Sequence, residues 1–415
     1  MRTKVYDAYL GQQHVGYLMN HSDGKTLWSF SADYIALGPT RPTLSLSFND
    51  LNDESITRKR LAQSYISRQG LPVFFSNLLP EGGLREYIIT QLGIHTSNEF
   101  SVLEYLHADL PGNLFLRESN QDQKKQQVMT LKEEAGKFQK KYPLNFSLAG
   151  VQIKFSMLRD KGHFTLSKNN HYPDWIVKTP SIIHSQMPEN EYSCMRLAEA
   201  IGIQIPDIQL VPLQEIGLPP LNLPDESRAY AIKRFDRGEG SNIHVEDIAQ
   251  VFGIRSHEKY TGTNYEAIAK ILLNFSKNGM EDVIELLRRI FFNILIANTD
   301  AHLKNFALIY EDARVPTLSP AYDLISSLGY IDNTELALNF ARVKSLYQID
   351  ESVLKYFAKR ISISEKLVLR VAKEVVSLAQ EKWPDLLKTL PLPNHLLTEL
   401  HAHWQRLDGP FHLYF

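Results

Sequence analysis

Two carboxylates and one amide stand at a spacing that suits phosphoryl transfer. Asp300 is followed after four residues by Asn305, and Asp323 comes next, on the far side of a predicted hairpin. In kinases the first carboxylate orients or deprotonates the attacking hydroxyl, while the asparagine and the second aspartate bind the magnesium that bridges the nucleotide phosphates. Magnesium usually takes only a few oxygen ligands from protein, which one amide and one carboxylate would supply. The spacing predicts a kinase that uses ATP and Mg²⁺.

Each residue of this set also has a purely structural interpretation. Aspartate is common in turns, so Asp300 could cap the turn that follows it, and Asp323 could be a turn residue after Pro320. The spacing of Asp300 and Asn305 is permissive when no other motif accompanies it. Other chemistries are less favoured: the 14 histidines show no zinc-site spacing, and no G-x-S-x-G element occurs.

Upstream, a short loop could contact the nucleotide phosphates. Ser147–Lys154 contains small residues, so its backbone N–H groups could approach a phosphate while Lys154 adds positive charge. Gly150 is its only glycine, and an ordinary β-turn with a solvated lysine is the alternative.

A second lysine, Lys178, ends the apolar run Trp175–Val177. A lysine at an inward-facing strand position needs an anionic partner, because burial of an unpaired ammonium is very costly. Nucleotide phosphates or a helix carboxylate such as Glu191 would serve. The alternative is a lysine that emerges at the strand end before Pro180.

Composition excludes several classes of function. The 45 Lys and Arg against 47 Asp and Glu give a net charge of −2, so no global basic field exists to hold nucleic acid. The single cysteine, Cys194, excludes an internal disulfide framework and a cysteine-based metal site, and its helical setting predicts a buried thiol. The N-terminus lacks the pattern of a secretory signal, and the apolar stretches are too short for a membrane span. We therefore expect a soluble, cytoplasmic protein with no membrane partner.

The elements that must position these residues follow from hydrophobic periodicity. Strand-like alternation opens the chain, a polar run begins near Ser119, short strands continue to about residue 235, and helical spacing dominates beyond Asp247. At 415 residues the chain is too long for one core. The predicted units are an N-terminal α/β domain (1–118), a polar connector (119–145), a strand-rich ATP-binding lobe (146–236) and a helical catalytic lobe (237–415).

The motifs together resemble the HipA family, bacterial serine/threonine kinases that act as toxins of toxin–antitoxin pairs. The resemblance spans roughly residues 1 to 340, in order and with matching spacing. It is carried by Phe75–Gly82, Ala108–Gly112, Ser147–Lys154, Asn190–Tyr192, Lys233–Arg237, Glu246–Asp247, Thr299–Asn305 and Tyr322–Asp323.

This resemblance implies an α+β, protein-kinase-like bilobal fold with an additional N-terminal α/β domain and an all-helical C-terminal lobe. It implies Asp300 as the catalytic base and Asn305 and Asp323 as ligands of magnesium. The ATP-binding residues it implies are Ala149, Gly150, Val151, Gln152, Ile153, Lys154, Lys178, Lys233, Arg234, Phe235, Asp236, His302, Leu303, Lys304, Asn305, Tyr322 and Asp323. Lys233, Arg234 and Phe235 would line the adenine hinge, with Asp236 near the ribose.

The resemblance also implies regulation and partners. In the family, the serine that matches Ser147 is a site of autophosphorylation that inactivates the kinase, and a phosphate there would add about −1.5 to −2 of charge beside a loop that accepts ATP phosphates. The implied substrate is an aminoacyl-tRNA synthetase. The implied partner is a small helix-turn-helix antitoxin, through which alone the chain would contact DNA.

One residue departs from the family pattern, and two other functions remain open. Ile153 precedes Lys154 where the best-known members carry an acidic residue. A small-molecule kinase is one alternative, against which the motifs of the first 110 residues argue. A catalytically silent antitoxin-binding co-repressor is the other, and it has no need for an intact set of Asp300, Asn305, Asp323 and Lys178.

Overall fold

The computed structural model describes residues 3–106, 109–119, 153–160, 162–166, 173–218, 223–238 and 241–414. The predicted polar connector lies outside these ranges from residue 120 onward. Five residues with predicted roles also lie outside them, namely Ser147, Ala149, Gly150, Val151 and Gln152. Among the described residues, no helix combines the length and the apolar character that crossing a membrane requires.

The N-terminal part of the chain forms an antiparallel sheet covered by short helices. Its strands are β1 (Lys4–Leu10), β2 (Gln13–Asn20), β3 (Thr26–Phe30), β4 (Ser64–Ser67) and β5 (Leu114–Glu118), in the order β4-β3-β2-β1-β5. Its helices are α1 (Ala32–Ala36), α2 (Glu54–Leu61), α3 (Val73–Ser76), α4 (Gly82–Leu92) and α5 (Glu99–Leu106). Alternate residues of β1 and β3 face an aromatic core that includes Trp28, Phe30 and Phe75.

The second sheet carries one helix inserted between two of its strands. Its strands are β6 (Lys154–Asp160), β7 (His163–Leu166), β8 (Trp175–Lys178), β9 (Ile208–Pro212), β10 (Ile216–Gly217) and β11 (Arg228–Lys233), in the order β10-β7-β6-β8-β11-β9. The helix α6 (Met187–Ala200) follows β8 and packs on β11. This order places β8, and with it Lys178, in the middle of the sheet.

The remainder of the chain is mainly helical. Its helices are α7 (Ile248–Phe252), α8 (Tyr265–Phe275), α9 (Gly279–Leu295), α10 (Glu351–Arg360), α11 (Glu365–Leu386) and α12 (Asn394–Arg406). The apolar face of α9, including Leu286, Ile290 and Ile294, is fully buried, as the spacing predicted.

The α+β class is confirmed, but the expectation of an all-helical C-terminal lobe needs correction. This lobe contains a three-stranded sheet and a hairpin, which are β12 (His244–Asp247), β13 (Ala307–Tyr310) and β14 (Thr317–Leu318), then β15 (Glu335–Phe340) and β16 (Val343–Ser345). The hairpin of β13 and β14 agrees with the hairpin predicted before Asp323, so the all-helical expectation is wrong at β12, β15 and β16. The predicted catalytic residues lie on the loop that enters β13 and on the segment that follows β14.

Candidate active site

The predicted catalytic loop lies between the end of α9 and the start of β13. Ala297 reverses the chain with a φ of 50°, after which Asn298 donates from its backbone to Asn293 O at 2.8 Å. Asp300 follows on the surface, and its Oδ1 accepts a hydrogen bond from the Tyr260 hydroxyl at 2.6 Å. The buried helix therefore anchors the loop, while the carboxylate of Asp300 is open to solvent.

The two proposed magnesium ligands lie next to each other. Asn305 Nδ2 donates to Asp323 Oδ2 at 3.3 Å, and Asn305 Oδ1 accepts from the backbone of His302 at 3.1 Å. Asp323 has a φ of 53°, in the left-handed region that aspartate tolerates better than most side chains. The hairpin β13-β14 thus brings an amide and a carboxylate together from positions 18 residues apart.

Both predicted phosphate-contacting lysines converge on Asp323. Lys178 is buried and pairs with Glu191 Oε1 at 2.6 Å and with Asp323 Oδ1. Lys154 is half exposed, and its Nζ lies 3.8 Å from Asp323 Oδ2. The expectation that Lys178 has an anionic partner is confirmed, and Glu191 is one of its two partners among the described residues.

The charges at this cluster favour the ionised forms of Asp323 and Lys178, whereas burial raises the pKa of Glu191. Burial opposes a carboxylate at Asp323, yet Lys154 and Lys178 outweigh it and hold the pKa of Asp323 well below its usual range. Burial likewise opposes an ammonium at Lys178, but Asp323 and Glu191 raise the pKa of Lys178 above its ordinary value. Asp323 is therefore an anion at neutral pH, as a magnesium ligand must be.

Asn305 and Asp323 carry the oxygen types that hold magnesium, but Asn305 directs its Nδ2 to Asp323 and its Oδ1 to the His302 backbone. The amide would therefore have to rotate for both side chains to share one ion. The described residues contain no group of three or more histidine, cysteine, aspartate or glutamate side chains that could enclose a metal by themselves. A site with two protein ligands is what nucleotide-bound magnesium uses, because the phosphates and water complete its octahedron.

The three other predicted nucleotide contacts of the catalytic loop have different surroundings. His302 is buried, and burial together with the charge of Lys259 lowers its pKa to about 4, so the ring is neutral at pH 7. The ammonium of Lys304 contacts Asn77 O at 2.9 Å and Glu81 Oε1 at 3.0 Å in the N-terminal domain. Leu303 lies between these two residues and is fully buried in the main core.

The predicted hinge residues divide into two groups. Phe235 approaches Tyr322, with ring centroids 5.6 Å apart, so an aromatic pair joins the hinge to the segment of Asp323. Lys233 is exposed and lies 3.5 Å from Asp207. Ile153, the residue that departs from the family pattern, is buried in the core of the second sheet.

Arg234 and Asp236 instead belong to a buried ion cluster. Arg234 binds Asp236 through two hydrogen bonds of 2.9 Å and Asp109 at 2.7 Å, while Arg237 contacts the same two carboxylates. Gly112 N also donates to Asp236 at 2.7 Å. These side chains connect the N-terminal domain to the hinge, and a ribose contact by Asp236 stays a prediction.

Sequence reasoning missed Tyr260 and Glu81. Tyr260 has no motif of its own, and only its hydrogen bond to Asp300 reveals it. Glu81 lies in Phe75–Gly82, one of the motifs that carry the family resemblance. Its pairing with Lys259 at 2.6 Å and with Lys304 depends on a contact between domains.

Two family models match this chain, one over its N-terminal part and one over its C-terminal part. The model of the HipA N-terminal domain matches residues 6–117, and that of the HipA-like C-terminal domain matches residues 146–383. The protein of Sinorhizobium fredii named "Putative kinase Y4dM" is 39% identical over 97% of both chains. The Shewanella oneidensis protein named "Serine/threonine-protein kinase toxin HipA" is 26% identical over 80% of this chain and 77% of its own.

A solved structure has the same fold. It is the complex of Shewanella oneidensis HipA with HipB and operator DNA, whose matching chain superimposes with a TM-score of 0.72 at 20% identity, over 97% of each chain. The expected protein-kinase-like fold with an added N-terminal domain is therefore confirmed.

Proposed function

Because the chain belongs to the HipA family, we propose that it is an ATP-dependent protein kinase that phosphorylates serine or threonine. The observation that carries this proposal is the convergence of Lys178, Lys154 and Asn305 on Asp323, beside the loop of Asp300. A lysine paired with a helix glutamate, together with a metal-binding aspartate, is the arrangement that protein kinases need for phosphoryl transfer.

Each residue has a chemical role in this proposal. Asp300 accepts the proton of the acceptor hydroxyl as its oxygen bonds to the γ-phosphorus of ATP, while the bond from that phosphorus to the bridging oxygen breaks and ADP leaves. Lys178 and Lys154 neutralise phosphate charge. Asn305 and Asp323 would hold magnesium, which supplies further charge neutralisation at the phosphates.

The remaining parts of the proposal concern biology. We propose that the kinase arrests growth as a toxin, that an aminoacyl-tRNA synthetase is its substrate, and that a helix-turn-helix antitoxin binds it. The relative in Shewanella oneidensis that is named a toxin supports the first part, and the complex of its HipA with HipB and operator DNA supports the last.

The substitution Asp300→Asn tests the proposed base. It keeps the hydrogen bond from Tyr260 but removes the proton acceptor, so we expect phosphate transfer to fall by about 100-fold or more while the fold is retained. Phosphoproteomics after brief expression of each form would measure transfer and identify the substrate, and growth arrest should be relieved in parallel.

Asp312→Asn is the matched control, because Asp312 is an exposed turn residue of the hairpin that follows the catalytic loop. It should behave as wild type. Unchanged phosphorylation in Asp300→Asn would contradict the kinase assignment. Equal growth arrest by wild type and Asp300→Asn would indicate a catalytically silent binding protein.

We also propose Ser147 as a regulatory autophosphorylation site. Wild-type protein incubated with ATP and magnesium should gain one phosphate on Ser147 and lose nucleotide affinity, because the phosphate repels those of ATP. Intact-mass and peptide mass spectrometry would detect it, with Asp300→Asn as the unmodified reference. An unmodified Ser147 after prolonged incubation would contradict this part.

A further inference from the structure

The hydroxyl of Tyr260 lies where a phosphate acceptor would bind the proposed base. It donates to Asp300 Oδ1 at 2.6 Å. A general base needs its proton donor at about 2.6–3.2 Å, so the tyrosine has the distance that a reacting hydroxyl would have. The two hydroxyls cannot occupy the same position on this oxygen.

The ring that carries this hydroxyl is held by its neighbours but remains accessible. The His302 ring meets it edge to face at 5.1 Å, and Lys259 Nζ lies 5.4 Å from its centroid. Lys259 itself pairs with Glu81 of the N-terminal domain. Tyr260 is still 38% exposed, so a small rotation toward solvent would free Asp300 without disturbing the core.

A cavity of about 350 Å³ opens directly beside this contact. Its lining includes Tyr260 and Asp300 on one side and residues of the β15-β16 hairpin, Leu336, Ala337 and Lys344, on the other. The cavity leads to the carboxylate that would activate the acceptor. It is therefore the place for an extended protein segment to present a serine or threonine.

We infer that Tyr260 is a substrate-competitive gate that occupies the acceptor position on Asp300 until a protein segment in this cavity displaces it. The inference rests on the proposed function, since it requires Asp300 to be the base. It adds that the acceptor competes with a residue of the kinase itself, and that the loop bearing this residue is tied to the N-terminal domain through Glu81.

A positioning role for Tyr260 makes the opposite prediction. If the hydroxyl only orients Asp300, its removal lowers kcat and leaves the acceptor KM unchanged. If it competes with the acceptor, its removal lowers the acceptor KM and spares kcat. The KM of ATP is unaffected by a gate, because the contact involves the acceptor side of the site.

Tyr260→Phe removes the hydroxyl and keeps the ring. With a serine-containing degenerate peptide library as acceptor, we expect the acceptor KM to fall about fivefold, in line with the loss of one partly exposed hydrogen bond to a charged group. We expect kcat within about twofold of wild type and an unchanged KM for ATP. Release of inorganic phosphate without peptide should rise, since a water molecule can then take the place of the Tyr260 hydroxyl on Asp300 Oδ1.

Tyr265→Phe is the matched control, because it also removes a tyrosine hydroxyl bonded to the catalytic loop, at Ala301 O. It should lower stability without lowering the acceptor KM. An unchanged acceptor KM in Tyr260→Phe, or a tenfold fall in its kcat, would overturn the gate alone. Absence of transfer by wild type would overturn the proposed function, and the gate with it.

Discussion

Asp323 combines a left-handed backbone conformation with two neighbouring ammonium groups, those of Lys154 and Lys178. Its φ of 53° places the carboxylate between Lys178 and Asn305, where an extended conformation would direct it elsewhere. Conformations of this kind cost about 1–3 kcal/mol and persist where surrounding contacts determine them. Here the contacts are the ion pair with Lys178 and the hydrogen bond from Asn305, so the site's charges and its backbone geometry stabilise each other.

Removal of the Lys178 ammonium should affect both stability and nucleotide binding. Lys178→Met leaves the buried Glu191 and the partly exposed Asp323 without their common partner, and we expect the free energy of unfolding to fall by about 3 kcal/mol. Urea denaturation would measure this change. The rise in Tm on addition of MgATP should also be smaller than in wild type.

Lys154→Met provides the comparison for Lys178→Met. Lys154 is half exposed and 3.8 Å from Asp323, so its loss should lower the free energy of unfolding by less than about 1 kcal/mol. Equal destabilisation by the two substitutions would show that burial of the Lys178 cluster is not what stabilises the site.

At the scale of elements, β12 connects the N-terminal domain to the three-stranded sheet β12-β13-β14 through the buried carboxylate of Glu246. Glu246 Oε1 accepts from Leu46 N at 3.0 Å and from the Tyr310 hydroxyl, while Oε2 has no partner among the described residues. Burial raises the pKa of Glu246 from 4.5 to about 7. The element is therefore most stable when this side chain carries a proton.

This shift predicts a pH dependence whose sign follows from linkage. Between pH 4.5 and about 7 the unfolded chain has lost the Glu246 proton and the folded chain keeps it, so the free energy of unfolding falls as pH rises across this window. Glu246→Gln preserves both accepted hydrogen bonds without the titration. We expect it to be more stable than wild type at pH 8, by up to about 3 kcal/mol, and equally stable near pH 4.

Denaturation curves at pH 4, 6 and 8 would measure the difference in free energy of unfolding between Glu246→Gln and wild type. Glu311→Gln, at an exposed position of the neighbouring hairpin, is the control and should follow wild type at each pH. A Glu246→Gln variant that is less stable than wild type at pH 8 would show that the carboxylate is stabilising when it is ionised.

At the scale of the whole molecule, the N-terminal domain is part of the structure that holds the site. Thr43 N donates to Ala313 O at 2.8 Å, Asn77 donates to Ile254 O at 2.8 Å, and Leu46 packs into the main core of the catalytic lobe. Gly112, with a φ of 74°, approaches so closely that a Cβ there would lie 2.7 Å from Val245 N. These contacts and the ion cluster around Asp236 make the first domain a support for both the hinge and the loop of Tyr260.

Arg234→Met tests the ion cluster. Because it leaves Asp236 and Asp109 with Arg237 as their one cationic partner among the residues that the structure describes, we expect the free energy of unfolding to fall by about 3 kcal/mol. Lys233→Met is the adjacent control; its exposed pair with Asp207 should contribute less than about 1 kcal/mol. Guanidinium denaturation would measure the free energy of unfolding of both variants. If Arg234→Met were as stable as wild type but bound ATP less tightly, Arg234 would belong to the nucleotide site instead.

Local patterns in the sequence determined much of the chemistry. The spacing of Asp300 and Asn305, the later Asp323, and a lysine at the end of an apolar strand all predicted neighbours that the structure confirms for Asn305, Asp323, Lys178 and Glu191. For Asn305, Asp323 and Lys178 the predictions succeed because these residues lie on short loops and at a strand end, where a motif of a few residues specifies side-chain type and direction together.

Only the tertiary structure decided the contacts between distant segments. The hydrogen bond from Tyr260 to Asp300, the pairing of Lys304 with Glu81 and the pairing of Arg234 with Asp109 each join parts of the chain that no local pattern relates. The hairpin of β13 and β14 was predicted, but β12, β15 and β16 were not, and β12 pairs with β13 across the helices α7, α8 and α9 that separate them in the sequence. Such contacts depend on how distant segments pack, and packing is a property of the whole chain that the periodicity of one segment does not contain.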